Sequence, residues 1–210
     1  MKHNGIFVTF EGTEGAGKST LIHAVARQLE ASRLGSRKIL LTREPGGSPI
    51  AERIRDVVIQ ESVDPLAELF LYEAARAEHV ARKIRPALKA GQIVLCDRFT
   101  DSALAYQGYA RGLPWNKVKM MNSVATGGIT PQLTVLLDID PAFGLKRARE
   151  QTRFEAEGVE FQKKVRKGFL KARNENPSRW LILKVADKSP EELATRVVRE
   201  LLKRFKPDSI

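Results

Sequence analysis

The sequence predicts an α/β fold with a five-stranded parallel sheet and helices on both faces. Three observations predict it. Five short runs are nearly continuous in apolar residues, as strands buried on both faces are. Segments with helical spacing fill the gaps between them, which implies right-handed crossover units. A glycine-rich turn joins the first run to the first helix. The elements follow in order. Residues 6–10 form the first strand and lead to Gly12; residues 19–33 form a helix with Leu21, Ile22, Val25 and Leu29 on one side. Residues 38–42 are the second strand. A long helix over 66–88 carries Leu69, Phe70, Ala74 and Ala77 on one side and stops near Gly91. Residues 93–97 are the third strand, 118–125 a shorter helix and 133–139 the fourth strand. A helix over 142–149 follows Pro141, residues 180–185 are the fifth strand, and a last helix over 191–205 follows the cap Ser189 and Pro190.

The length of 210 residues suits one domain, 1–210, with room for a sizeable core. With 42% hydrophobic and 29% charged residues the composition is ordinarily globular, which excludes disordered, collagenous and coiled-coil classes. The one cysteine, Cys96, lies inside an apolar run and reads as a small buried hydrophobe, so no disulfide framework exists. No apolar run approaches the ~18 residues of a membrane span, and the start resembles no secretory leader; a soluble, cytoplasmic protein is expected. The formal charge is +11, which favours polyanionic partners or simply a solvated basic face. Much of the excess lies between Lys146 and Arg173, where ten Lys/Arg stand against four Glu. That stretch lacks the aromatic interleaving of single-strand binders, and no nucleic-acid module signature is present.

Gly12-Thr13-Glu14-Gly15-Ala16-Gly17-Lys18-Ser19-Thr20 matches G-x-x-x-x-G-K-[ST] between a predicted strand and a predicted helix, the context that motif requires. Glycines let backbone N–H groups turn inward on phosphate oxygens, and the helix N-terminus adds its positive end. Lys18 would reach the β- and γ-phosphates of ATP and Ser19 would offer a hydroxyl to Mg2+. A GTPase needs Asn-Lys-x-Asp, yet Asn116-Lys117 continues Val118-Lys119. A motor ATPase usually ends a strand in paired acids, whereas here Asp97 is followed by Arg98. An arginine there suits a second anion, the phosphate of an acceptor nucleotide.

Four segments then carry a resemblance over nearly the whole chain. They are the phosphate loop with Phe10-Glu11 before it, Thr42-Arg43-Glu44-Pro45-Gly46-Gly47, Tyr72-Glu73-Ala74-Ala75-Arg76, and Asp97-Arg98-Phe99-Thr100-Asp101-Ser102-Ala103-Leu104-Ala105-Tyr106-Gln107-Gly108. The chain resembles the bacterial-type thymidylate kinases, a subgroup of the P-loop nucleoside monophosphate kinases. The resemblance implies the three-layer P-loop kinase sandwich with a mobile lid near 147–162, transfer from ATP to dTMP with Mg2+ in dTTP synthesis, and a homodimer. The alternatives are another nucleotide or nucleoside kinase, or a P-loop ATPase that binds nucleic acid through its basic stretch.

The resemblance also assigns site residues. Arg98 would fork onto the acceptor phosphate; a surface ion pair is its plainer role. Asp97 would hold the Mg2+ shell or Arg98, or only cap its strand. Tyr72 would stack on thymine and Arg76, four residues on, would bond its O4; an aromatic at that spacing could equally be core. Tyr106 would sit beside the sugar, with Ser102 near the acceptor, Gln107 beside the base, and Glu14 at the deoxyribose 3′-hydroxyl. Glu44 and Arg55 would line the acceptor phosphate region, although Arg55 could be a solvated helix charge. Gly15 stands where some relatives have an arginine, so the cation that meets the transferring group would come from the lid: Arg153 first, Arg149 second, unless these form a solvated helix face.

Overall fold

The structure is a computed structural model, and it describes residues 4–147, 153–185 and 188–205. Five parallel strands form one sheet: β1 (Ile6–Glu11), β2 (Ile39–Arg43), β3 (Ile93–Asp97), β4 (Leu133–Asp138) and β5 (Trp180–Lys184), in the order β2-β3-β1-β4-β5. Side chains alternate across the sheet. Val8, Phe10, Leu95 and Val135 meet α1 (Lys18–Glu30) and α10 (Pro190–Arg204) on one face. Phe7, Val94 and Cys96 meet the end of the long helical arm around Val80, Ile84 and Leu88 on the other. With both faces covered, no position in a central strand is solvent-facing, which is why the runs read as continuous rather than alternating.

That long arm is not the single helix expected over 66–88. Asp64 caps α3 (Pro65–His79) by accepting from Leu66 and Ala67 N–H. A wide π-helical turn, Val80–Ile84, then leads into α4 (Arg85–Lys89). Pro86 has no N–H to give the preceding turn, and the extra residue per turn accommodates it. Phe70 is also corrected: it is 56% exposed while Leu69 is buried, because neighbours on a helix lie about 100° apart.

Three further elements complete the layers: α2 (Pro49–Gln60), the pair α5 (Thr100–Ala103) with its π-helical continuation Leu104–Ala110, and α6 (Trp115–Thr126). After β4 come α7 (Pro141–Arg147), the short α8 (Arg153–Ala156) and α9 (Gly158–Glu175), the longest helix among the described residues. The later part of the basic run, Lys163 to Arg173, lies on α9, with Lys163, Lys164, Lys167 and Lys171 exposed; the inner side of the helix, Gln162, Val165, Phe169 and Ala172, packs under the π-helical segment.

The connection from β1 leads toward the β2 edge and that from β3 toward the β4 side. A crevice therefore opens where these two strands end, the expected place for ligands in an open parallel sheet.

Candidate active site

The phosphate loop fills one side of that crevice. Gly12 has φ 149° and an added Cβ would lie 2.8 Å from Leu137 O, so neither the dihedral nor the space admits a side chain. Gly17 caps α1 without a side-chain partner, which leaves the first N–H groups of the helix to a ligand. Lys18 is buried and its Nζ donates to Gly12 O (3.3 Å) and Thr13 O (3.1 Å). Burial and the Arg98 charge lower its pKa. Ser19 Oγ donates to Asp97 Oδ2 at 2.7 Å. Asp97 Oδ1 and Thr13 Oγ1 are buried with no hydrogen-bond partner among the described residues.

Arg98 faces the loop from the end of β3. It is the one non-glycine with a positive φ (68°) among the described residues, and its N–H donates to Phe10 O at 2.9 Å. That conformation turns the side chain back over β1. Nη1 donates to Gly12 O (3.1 Å) and Ser102 Oγ (3.3 Å), and Nη2 to Glu14 Oε1 (2.6 Å). The guanidinium also lies 5.1 Å from the Tyr106 ring centroid, and Tyr106 OH donates to the same Glu14 oxygen at 2.7 Å. Burial would raise the Glu14 pKa, but the Arg98 and Lys18 charges outweigh it and hold the carboxyl at about 2. Behind them, Glu11 is fully buried and accepts from Phe99 N–H (2.8 Å) and Ser102 Oγ (2.6 Å). Burial, with Asp101 nearby, pushes its pKa up to about 8.

A cleft, open at its mouth, runs from this cluster between α2, α3 and the π-helical segment. Glu14, Glu44, Arg55, Tyr72, Arg76, Arg98, Ser102, Tyr106 and Gln107 all line it, so every acceptor-side residue singled out in the sequence converges there. Arg76 is 2% exposed and donates from Nε to Glu44 Oε2 (2.8 Å), from Nη1 to Glu73 Oε1 (2.5 Å) and Asn122 Oδ1 (2.7 Å), and from Nη2 to Phe99 O (3.2 Å). Gln107 Nε2 donates to the buried Glu68 at 2.7 Å, and Arg55 Nη1 to Pro45 O at 3.1 Å.

The lid expectations divide. Arg149 lies outside the described residues. Arg153 begins α8, next to Phe154, whose ring lines the cleft edge-on to Tyr106 with centroids 5.8 Å apart. Gln162 ties this corner together: Nε2 donates to Phe154 O (3.1 Å), and Oε1 accepts from Glu14 N–H (3.4 Å). Phe154, Gln162, Phe99 and Glu11 were not foreseen as site residues. Glu11 had a signal, a carboxylate closing an apolar strand; Phe154 and Gln162 had none beyond their place in the basic run.

Known proteins resemble this chain over most of its length. Residues 10–197 match the family model described as thymidylate kinase. The thymidylate kinase of Bacillus licheniformis is 46% identical over 95% of this chain and 98% of its own. That of Syntrophotalea carbinolica is 49% identical over 86% of this chain and 87% of its own. The crystal structure of thymidylate kinase from Ehrlichia chaffeensis superposes with a TM-score of 0.75 at 31% identity, covering 92% of this chain and 98% of that one.

Proposed function

This chain belongs to the thymidylate kinase family and phosphorylates dTMP, and we propose that it takes the phosphoryl group from ATP with Mg2+ at the phosphate loop. The observation that carries the donor side is the pairing of the loop with Arg98: two anion-binding positions stand side by side at the ends of β1 and β3. In-line transfer needs that arrangement.

Ser19 and Asp97 fit Mg2+. Both present oxygen, the donor a hard cation takes, and Asp97 Oδ1 is buried with no hydrogen-bond partner among the described residues. Mg2+ held there would supply neutralisation of the phosphate charge. Lys18 exchanges its loop carbonyls for the β/γ-phosphates. Arg98 keeps Gly12 and Ser102 as supports and offers its fork to the acceptor phosphate. Glu14, ionised near neutral pH, receives the sugar 3′-hydroxyl beside Tyr106. Tyr72 stacks on thymine, and Arg76, with one N–H of its five not used by the four partners above, meets the base carbonyl with Gln107 alongside. Glu44 and Arg55 flank the acceptor. A phosphate acceptor is already ionised, so no general base is required.

Residues 1–210 act as one kinase domain whose lid, near 147–162, closes over the cleft with Phe154 against Tyr106 and brings Arg153, or Arg149, to the transferring group. Leu66 and Phe70 on α3 and Met120 and Val124 on α6 are exposed apolar side chains on adjacent helices, the face we assign to a homodimer. No helix among the described residues is long and apolar enough to cross a membrane. The proposed setting is the cytoplasm, with no nucleic-acid or membrane partner.

Phosphoryl transfer from ATP, assayed with each of the four deoxynucleoside monophosphates, tests the reading. Transfer to dTMP well above the other three, lost on chelation of Mg2+, is expected. ATP hydrolysis that needs no dTMP and rises with added DNA would contradict it.

A further inference from the structure

Below the loop that carries Glu44 lies a buried histidine that none of these roles uses. His79 is the last residue of α3 and fully inaccessible. Its Nδ1 is 3.0 Å from Glu44 Oε1, and its Nε2 is 2.7 Å from Thr42 Oγ1. A carboxylate oxygen only accepts, so Nδ1 bears a proton and donates to Glu44. The Cδ2–Nε2 edge of the ring lies against Gly47, where a Cβ would collide with both atoms and where φ is 85°. The second glycine of Glu44-Pro45-Gly46-Gly47 is thus the space this ring occupies.

Glu44 joins two buried partners: Oε1 takes His79 and Oε2 takes the Nε of Arg76. On the Nε edge of Arg76, Glu44 is the acceptor that sets the guanidinium plane, while Glu73, Asn122 and Phe99 O hold the other nitrogens. Without His79, Glu44 Oε1 would be left buried and unmatched, and the carboxylate would turn to find a donor. The plane of Arg76 would turn with it. We propose that His79 is a positioning residue for base selection: it holds Glu44, and Glu44 holds Arg76 at the angle that meets a pyrimidine C4 carbonyl. The inference rests on the reading of Arg76 as the partner of the base. It also has a consequence for specificity, because cytosine presents an amino group at that position and an accurately aimed N–H repels it.

Two isosteres separate the two sides of the ring: Asn places its amide near Nδ1, and Gln near Nε2. In steady-state assays of the full chain, His79→Gln keeps the Thr42 side and loses Glu44; KM for dTMP should rise about tenfold, with KM for ATP within about twofold. His79→Asn keeps the Glu44 side and should stay within about threefold of the parent on dTMP. The preference for dTMP over dCMP should fall in the Gln variant only. Equal behaviour of the two variants, or parallel rises in both KM values, would overturn the proposal. Arg76→Ala run alongside separates the layers. If it leaves KM for dTMP unchanged, the base reading and this inference both fall; if it raises KM while His79→Gln does not, only this inference falls. In the unmutated enzyme, the His79 ring nitrogens, followed by 15N NMR, should shift on adding dTMP and not on adding ATP. No shift with dTMP would overturn the proposal without relying on any variant's folding.

Discussion

Arg98 and the proposed lid invite comparison. Arg98 is fixed in advance: a left-handed backbone, two acceptors on Nη1, Glu14 on Nη2 and an aromatic ring beneath it. On the lid side, Arg153 opens the four-residue α8. The difference follows from charge. Burial first, and then the Arg98 charge, depress the pKa of Lys18, so the loop floor carries two cations that oppose each other. A third fixed cation, such as an arginine in place of Gly15, would add to that repulsion in the free enzyme. A cation carried on a lid meets the floor only after phosphates have arrived to neutralise it. On the proposed reading, fixed charge serves binding and orientation, and delivered charge serves the transition state.

The largest expected effect comes from removing the delivered charge. The double variant Arg149→Ala/Arg153→Ala should lower kcat by about a hundredfold or more, less than the best arginine fingers because Lys18 and Mg2+ share the task. Each single variant then shows which arginine acts. Parent-rate production of dTDP by the double variant would reduce the lid arginines to surface charge. Arg98→Ala comes next: loss of a charge-assisted bond costs about 1.5–3 kcal/mol, roughly ten- to hundredfold in kcat/KM for dTMP. An unchanged kcat/KM in a folded variant would break the contrast at its fixed end.

The same contrast describes what the sequence discloses. The fixed floor was legible because its chemistry constrains neighbours in sequence: glycines, Lys18 and Ser19 within one motif, and Arg98 directly after a strand aspartate. The central strands β1, β3 and β4 were legible because both their faces are buried, and the half-buried edge strands β2 and β5 because they remain apolar runs between helical segments. The lid side was not. The spacing of Val165, Phe169 and Ala172 in α9 is helical, yet the surrounding lysines and arginines mask it, and Phe154 reaches Tyr106 only through tertiary packing. The π-helical turns have no period of their own to read. Arg76 lines the cleft, but its burial among four acceptors depends on Glu44 and Asn122, 32 and 46 residues away.

A third prediction moves from phosphate to base. Arg76→Ala should raise KM for dTMP about tenfold or more and leave KM for ATP nearly unchanged. Equal loss for both nucleotides would mark Arg76 as a folding residue of α3. The smallest effect concerns the stability of the floor against pH. Glu14, with its folded pKa lowered to about 2, contributes stability above the usual carboxylate range that is lost as pH falls toward 2. Glu11 has the opposite sign. With its folded pKa raised to about 8, the folded state binds the extra proton, so stability falls as pH rises from about 4.5 to 8. Thermal melts of Glu11→Gln should therefore decline less over that window than those of the parent; identical slopes would remove Glu11 as the cause.

The division between fixed and delivered charge is tested most directly by calorimetric titration of dTMP into Arg98→Ala and into the lid double variant under the same conditions. The account predicts a weaker Kd for Arg98→Ala, by roughly ten- to hundredfold, and a Kd near the parent's for the lid variant despite its lost turnover. A lid variant that loses dTMP affinity as much as Arg98→Ala does would contradict it.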